Sequence, residues 1–317
     1  MVPKSDISAK AFAPASVANV SCGFDVLAFA IEGPGDFVTL TLRDEPGVRI
    51  TAIHGDGGKL PKTPAVENTA GRAVISMLEA LHLSEKTGID VQIEKQMPLG
   101  SGMGSSAASA VAAVVALNEL LDHPFEKKDL LQFALEGEMA ASGSPHADNI
   151  SASLLGGFTL IRSQSPLDVV QLHVPKDLVT AVFHPHISIN TKNTRLILRK
   201  SVQMSSAVKQ WGNVGGLIAG LYTEDYDLIS RSMEDHIVEA ARSILIPGFD
   251  EMKECAREKG ALGFSISGAG PSVFALCRTE DTAKLIGKEI EKILDTYNLE
   301  VDTYISPINR RGSYIVE

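Results

Sequence analysis

Pro98-Leu99-Gly100-Ser101-Gly102-Met103-Gly104-Ser105-Ser106-Ala107-Ala108-Ser109 is the stretch around which the rest of the chain arranges itself. Before it, Ile89, Val91 and Ile93 alternate with polar residues as in a half-buried strand; after it, residues 105–121 are alanine-rich and helical. Glycines let the backbone approach an anion closely, and the unpaired N–H groups and positive dipole end of the following helix favour phosphate. The loop is not a Walker A loop, because no Gly-Lys-[Ser/Thr] follows, nor the dinucleotide fingerprint, because its glycines fall at 100, 102 and 104. A glycine-rich turn without a ligand is the plain alternative, weakened by the entropy that ordering three glycines costs.

Outward from this loop the chain mixes strand and helix signals. Residues 37–42 and 48–53 are β-rich runs separated by Pro46-Gly47, a hairpin signal, and 56–64 reads as an exposed loop. Helical spacing runs over 68–83, and a second helix over 126–141 stops at Ser142-Gly143-Ser144-Pro145. The polar stretch 162–168 suggests a boundary, giving domains 1–168 and 169–317. Beyond it, 178–183 is a strand, and 193–222, 225–241, the segment after Pro247-Gly248 and 281–294 are helical. Residues 264–267 and 272–276 are short strands around Gly268-Ala269-Gly270-Pro271, and the end returns to strand. The order predicts two α+β domains rather than a βα barrel or a solenoid.

The 317 residues carry 44% hydrophobic and 21% charged residues, with a formal net charge of −10. That balance describes a packed globular chain and argues against a surface built to neutralise nucleic-acid phosphates or anionic lipid. Cations for a phosphate ligand must then be local. Cys22, Cys255 and Cys277 form no CxxC pair and fit a reducing compartment. Lys4, Asp6 and Lys10 interrupt any secretory h-region, so a cytoplasmic location is expected. Residues 96–118 are uncharged, yet their apolar part is about half the roughly 20 residues that a membrane span needs.

Three further clusters carry polar chemistry. Glu138, Ser142, Ser144, His146, Asp148 and Asn149 gather a carboxylate and hydrogen-bonding groups around one helix end, as a Mg²⁺ ion bound with phosphate would need; a solvated Glu and a packed His are the bland alternatives. Asn19 and Asp25 sit in a mostly apolar segment, Pro14 to Leu27, where a buried Asp needs either a backbone amide or a ligand cation. The 268–271 turn borders the phosphate loop or merely turns a hairpin.

In their order, the Asn/Asp segment, the Pro-x-x-x-Gly-x-Gly-Ser-Ser loop and the Ser-Gly-Ala-Gly-Pro turn resemble the GHMP small-molecule kinase superfamily. The pieces at 19–27, 138–149, 191–195 and 237–242 resemble its homoserine-phosphorylating members. The resemblance implies a ribosomal-protein-S5-domain-2-like N-terminal domain, a ferredoxin-like C-terminal domain, a homodimer, and ATP-dependent phosphorylation of the L-homoserine hydroxyl in threonine biosynthesis. It further implies that the 98–106 loop (Pro98, Leu99, Gly100, Ser101, Gly102, Met103, Gly104, Ser105 and Ser106) wraps ATP with help from Lys95, while Asn68 contacts the nucleoside. Ser106 and Glu138 would hold Mg²⁺; Asn19, Asp25, His146, Arg195 and Arg242 would form the amino-acid pocket, with Asp25 and Arg195 at opposite ends of the zwitterion. Asn149 stands where mevalonate kinase and galactokinase relatives carry an Asp, and an amide cannot take a proton at neutral pH; Asp148 stays open as a base. Ser21-Cys22 replaces the Gly-Pro usual before Gly-Phe-Asp, a departure in the backbone path. The alternatives are a kinase for a mevalonate-like or sugar alcohol, and a catalytically silent ligand-binding member of the fold.

Overall fold

The computed structural model describes residues 7–142, 147–189 and 191–316. The first sheet is built on two long antiparallel strands, β1 (Ser8–Ala18) and β2 (Leu27–Arg43), whose register shifts between Pro14 and Ser16. β3 (Gly47–His54) does not pair back onto β2. Helix α1 (Thr69–Ala80) follows it, and β4 (Gly88–Glu94) then inserts between the two, antiparallel to β2 and parallel to β3. The expected Pro46-Gly47 hairpin is therefore a corner that wraps the start of β4. Gly47 N–H donates to the Thr87 carbonyl at 3.0 Å, and a Cβ at Gly88 would lie 1.9 Å from the Glu45 carbonyl oxygen, so only glycine lets β4 enter there.

Helix α2 (Ser105–Leu120) lies across β1 and β2 and is buried along most of its length, with α1, α3 (Leu130–Ser142) and α4 (Ala147–Leu155) packed around it. Its alanines and valines make it apolar nearly all round, the pattern of a helix inside a core. β5 (Phe158–Gln164) pairs with β2 and turns through Ser165-Pro166 into β6 (Leu167–Leu172). The polar 162–168 stretch is thus a hairpin within the first sheet, not a seam between sheets.

The second sheet begins at β7 (Val179–Pro185). Helices α5 (Thr191–Leu196), α6 (Met204–Thr223), α7 (Tyr226–Ser232), α8 (Glu239–Arg242) and α9 (Phe249–Glu258) lead to β8 (Gly263–Ile266), β9 (Val273–Cys277), α10 (Glu280–Thr296) and β10 (Val301–Pro307). The spatial order β10-β7-β9-β8 is fourth, first, third, second in chain order, the βαββαβ arrangement of a ferredoxin-like sheet. β11 (Tyr314–Val316) then returns to pair with β1. The expected helix over 225–241 is interrupted because the Asp235 carboxylate accepts the amides of Ile237, Val238 and Glu239 at 2.8, 3.0 and 2.9 Å, a local alternative to helical bonding. No helix among the described residues is long and apolar enough to cross a membrane.

Candidate active site

The three distant segments converge. All three loop glycines take left-handed φ, 71° at Gly100, 83° at Gly102 and 71° at Gly104. A Cβ at Gly102 would lie 2.6 Å from the Ser267 carbonyl oxygen, and one at Gly104 2.2 Å from Ser16 Oγ and 2.9 Å from Asn149 Oδ1. The loop is therefore clamped between the 267–271 turn and the end of β1. Ser267 Oγ donates to the Gly102 carbonyl at 2.7 Å, Ser272 N–H to that of Ser101 at 3.1 Å, and Ser16 N–H to that of Met103 at 3.0 Å. The 267–271 turn both joins β8 to β9 and borders the loop. Gly104 caps α2 without any side-chain bond. No side chain thus caps the first-turn amides of this 16-residue helix, a geometry that suits an anion.

Beside this cradle lies a charged side-chain cluster. Between β1 and β2, Asn19, Val20, Ser21 and Asp25 all have positive φ (71°, 41°, 59° and 60°), a strained path for residues other than glycine. Asn19 holds it, its Oδ1 accepting the Asp25 amide at 3.0 Å and its Nδ2 donating to the Gly268 carbonyl at 2.7 Å. Asp25 takes a bidentate fork from Arg195, at 2.8 and 3.1 Å. The buried Arg242 donates to the Gly268 carbonyl at 3.0 Å, while its Nε has no hydrogen-bond partner among the described residues. Both guanidinium groups lie over the Phe24 ring, at 5.8 and 5.1 Å from its centroid. Burial, and then the charge of Arg195, hold the Arg242 guanidinium below its usual pKa range. A buried cation with an unmet donor next to a second cation is built to receive an anion.

Family models match both halves of the chain: GHMP kinases N terminal domain over residues 68–157 and GHMP kinases C terminal over 217–295. A homoserine kinase of Chlorobaculum tepidum is 48% identical over 315 residues, covering 96% of this chain and 97% of that one. The chain belongs to the GHMP kinases. The crystal structure of homoserine kinase from Cytophaga hutchinsonii superposes with a TM-score of 0.95 at 53% identity, covering 100% and 99% of the two chains. L. major mevalonate kinase, at 18% identity and a TM-score of 0.71, shares the fold.

Within this GHMP kinase, several residues stand elsewhere than their sequence suggests. Lys95 does not reach into the cradle. Its buried ammonium donates to the Asp36 carboxylate, to the Ser105 carbonyl at 2.6 Å and to Ser109 Oγ at 2.9 Å, which uses all three donors. It holds the first turn of α2 from beneath. Asn68 is the N-cap of α1: its Oδ1 accepts the Ala70 and Gly71 amides at 3.0 and 3.3 Å, and its Nδ2 donates to the Pro61 carbonyl at 3.0 Å. Asp25 and Arg195, read as opposite ends of a ligand, bind each other. His146 lies outside the described residues.

Glu138 is buried on α3, close enough to Lys95 for its charge to act on the ammonium. Ser105 Oγ, at the start of α2, is buried with no hydrogen-bond partner among the described residues. An orphan hydroxyl and a carboxylate near one helix end are hard oxygen donors of the kind that Mg²⁺ takes. Asn149 Oδ1 accepts from Ser16 Oγ at 2.9 Å, and its Nδ2 and backbone N–H donate to Asp148 Oδ1 at 3.5 and 2.8 Å, so the side chain is held at both ends. Burial pushes the Cys22 thiol up to about 12 and keeps it protonated, hence inert.

Sequence reasoning assigned no role to Ser16 or Asp36. Ser16 was visible only as a polar residue in an apolar run; Asp36, fully buried after Gly33-Pro34-Gly35, had no local pattern to mark it.

Proposed function

We propose that this GHMP kinase transfers the γ-phosphoryl group of ATP to the side-chain hydroxyl of L-homoserine. The observation that carries the proposal is the Asp25–Arg195 fork beside the unsatisfied Nε of Arg242, next to a phosphate cradle. An α-amino acid brings an ammonium for Asp25 and a carboxylate for the two guanidinium groups. A sugar brings neither charge, and mevalonate only the carboxylate. The near-full-length relatives described above, at 48% and 53% identity, are homoserine kinases, which agrees.

The 100–104 backbone and the uncapped start of α2 receive the nucleotide phosphates, with Lys95 and Asp36 positioning that start. Ser106 and Glu138 would hold Mg²⁺, with Ser105 Oγ beside them; when bound, the ion neutralises charge on the transferred phosphoryl group. Ser16 and Asp148 hold the two ends of the Asn149 amide, and the second N–H of its Nδ2 is the donor that orients the substrate oxygen without removing its proton. A loose transition state needs little activation of the nucleophile, and the hydroxyl proton passes late to a phosphoryl oxygen. A homodimer in the cytoplasm belongs to the same proposal; the exposed, uncharged side chains Met204, Val208, Trp211 and Tyr222 of α6 are surface that a second copy would cover.

ADP release measured with homoserine, mevalonate, galactose and shikimate tests the reading. Strong Mg²⁺-dependent turnover is expected with homoserine alone, and equal turnover of mevalonate would overturn it.

A further inference from the structure

A cavity of about 440 Å³ shares no residue with the site above; Phe12, Glu32, Lys176, Leu178, Arg310, Arg311 and Tyr314 line most of it. It sits where the turn from β10 to β11 meets β1 and β2. Its size falls within the range of small-molecule sites.

The turn that presents its two arginines is fixed from several sides. Asn309 Oδ1 accepts the amides of Arg311 and Gly312 at 2.9 and 2.7 Å. Gly312 has φ 69°, and a Cβ there would lie 2.3 Å from the Leu154 carbonyl oxygen. Lys127 Nζ donates to the Arg311 and Ser313 carbonyls at 3.0 and 2.9 Å. The side chains are placed as well: Arg310 donates to the Pro175 carbonyl at 2.9 Å, and the Arg311 guanidinium lies 4.0 Å from the centroid of the Tyr314 ring, which in turn packs against Phe12. Little side-chain entropy is left to lose on binding.

The wall is rich in cations on a chain of net charge −10. Among the described residues, Lys176, Arg310 and Arg311 form no ion pair with a carboxylate. Three cations against Glu32 leave the wall at 3 − 1 = +2. Nearby, desolvation and then the charge of Arg311 hold the Lys127 ammonium below its usual range, a second sign of positive potential.

We propose that this cavity binds a small phosphate monoester. The dianion lies against Arg310, Arg311 and Lys176, the apolar body against Phe12, Leu178 and Tyr314, and a hydroxyl meets Glu32. A dianion matches the wall charge, and guanidinium forks match phosphate geometry.

Calorimetric titration with glycerol 3-phosphate tests this on the full chain, with ADP and Mg²⁺ saturating so that the phosphate loop is filled. One saturable equivalent is expected, and Lys176→Glu and Arg311→Glu should each weaken it at least tenfold while homoserine turnover stays within twofold of wild type. Glycerol should not bind, and inorganic phosphate should bind more weakly than the ester. Absence of saturable binding to the wild type, affinity unchanged in both variants, or inorganic phosphate binding as tightly as the ester would each overturn the proposal. Should Arg311→Glu disturb the β11 turn, as its melting curve would reveal, the exposed Lys176, which makes no side-chain hydrogen bond, decides alone.

Discussion

The Asp25–Arg195 fork joins residues 170 apart in sequence, and each group satisfies the other. A substrate must replace that interaction at both ends, which only a molecule carrying both charges can do without leaving one partner bare. We therefore expect Asp25→Asn and Arg195→Leu each to raise the homoserine KM at least about tenfold, roughly 1.4 kcal/mol, as for hydrogen bonds to charged groups. Affinity for a non-hydrolysable ATP analogue should hold; a parallel fall would mean that the pair supports the phosphate loop instead. The participants were legible in the sequence, since an Asp in an apolar run needs a partner. Their mutual contact was not, because two residues that suit opposite ends of a ligand equally suit each other, and spacing along the chain does not separate those cases.

At the scale of elements, the start of α2 is held by a buried ion pair rather than by a side-chain cap. Lys95 reaches from the end of β4 to Asp36 on β2 and to Ser105 and Ser109 on the helix. Breaking such a pair leaves an uncompensated buried charge and costs about 3–5 kcal/mol, whereas replacing both partners by apolar groups is often nearly neutral. Lys95→Met should thus lower the melting temperature by several degrees, and the double variant Lys95→Met/Asp36→Leu should recover most of it. In the double variant nucleotide affinity should remain within about threefold of wild type, less than a lost charge-assisted bond would cost; a tenfold loss would return Lys95 to the phosphates. Loop, helix and strand periods were plain from local sequence. The direction of Lys95 was not, because a lysine next to a glycine loop suits phosphate until a carboxylate arrives from another strand. Pro46-Gly47 misled for a similar reason: a turn signal fixes a reversal of the chain, but which strand fills the neighbouring slot depends on β4, more than forty positions on.

Across the whole molecule, the ferredoxin-like sheet supports the site through the 267–271 turn, and its stability should depend on pH through His184. This buried ring bonds Ser272 Oγ at 3.1 Å and is held below its ordinary 6.5, first by burial and further by His186, with Asp302 opposing. Below 6.5 the unfolded chain takes up the proton more readily than the folded one, so stability present at neutral pH is lost as pH falls through that window. His186 acts in the opposite sense, its pKa raised by its bond to Asp302, but it is exposed and screened by solvent. The melting temperature should drop between about pH 7.5 and about pH 5, and His184→Gln should flatten that drop; an unchanged slope would place the titrating group elsewhere.

The central claim is that charge at both ends of the substrate selects it. It is tested most directly by comparing kcat/KM, at saturating ATP and Mg²⁺, for L-homoserine, for 4-hydroxybutanoate, which lacks the ammonium, and for 3-aminopropan-1-ol, which lacks the carboxylate. Each analogue is expected to fall at least about 100-fold below homoserine, roughly 2.7 kcal/mol per missing charge. Either analogue turning over within about threefold of homoserine, less than 1 kcal/mol, would contradict the account.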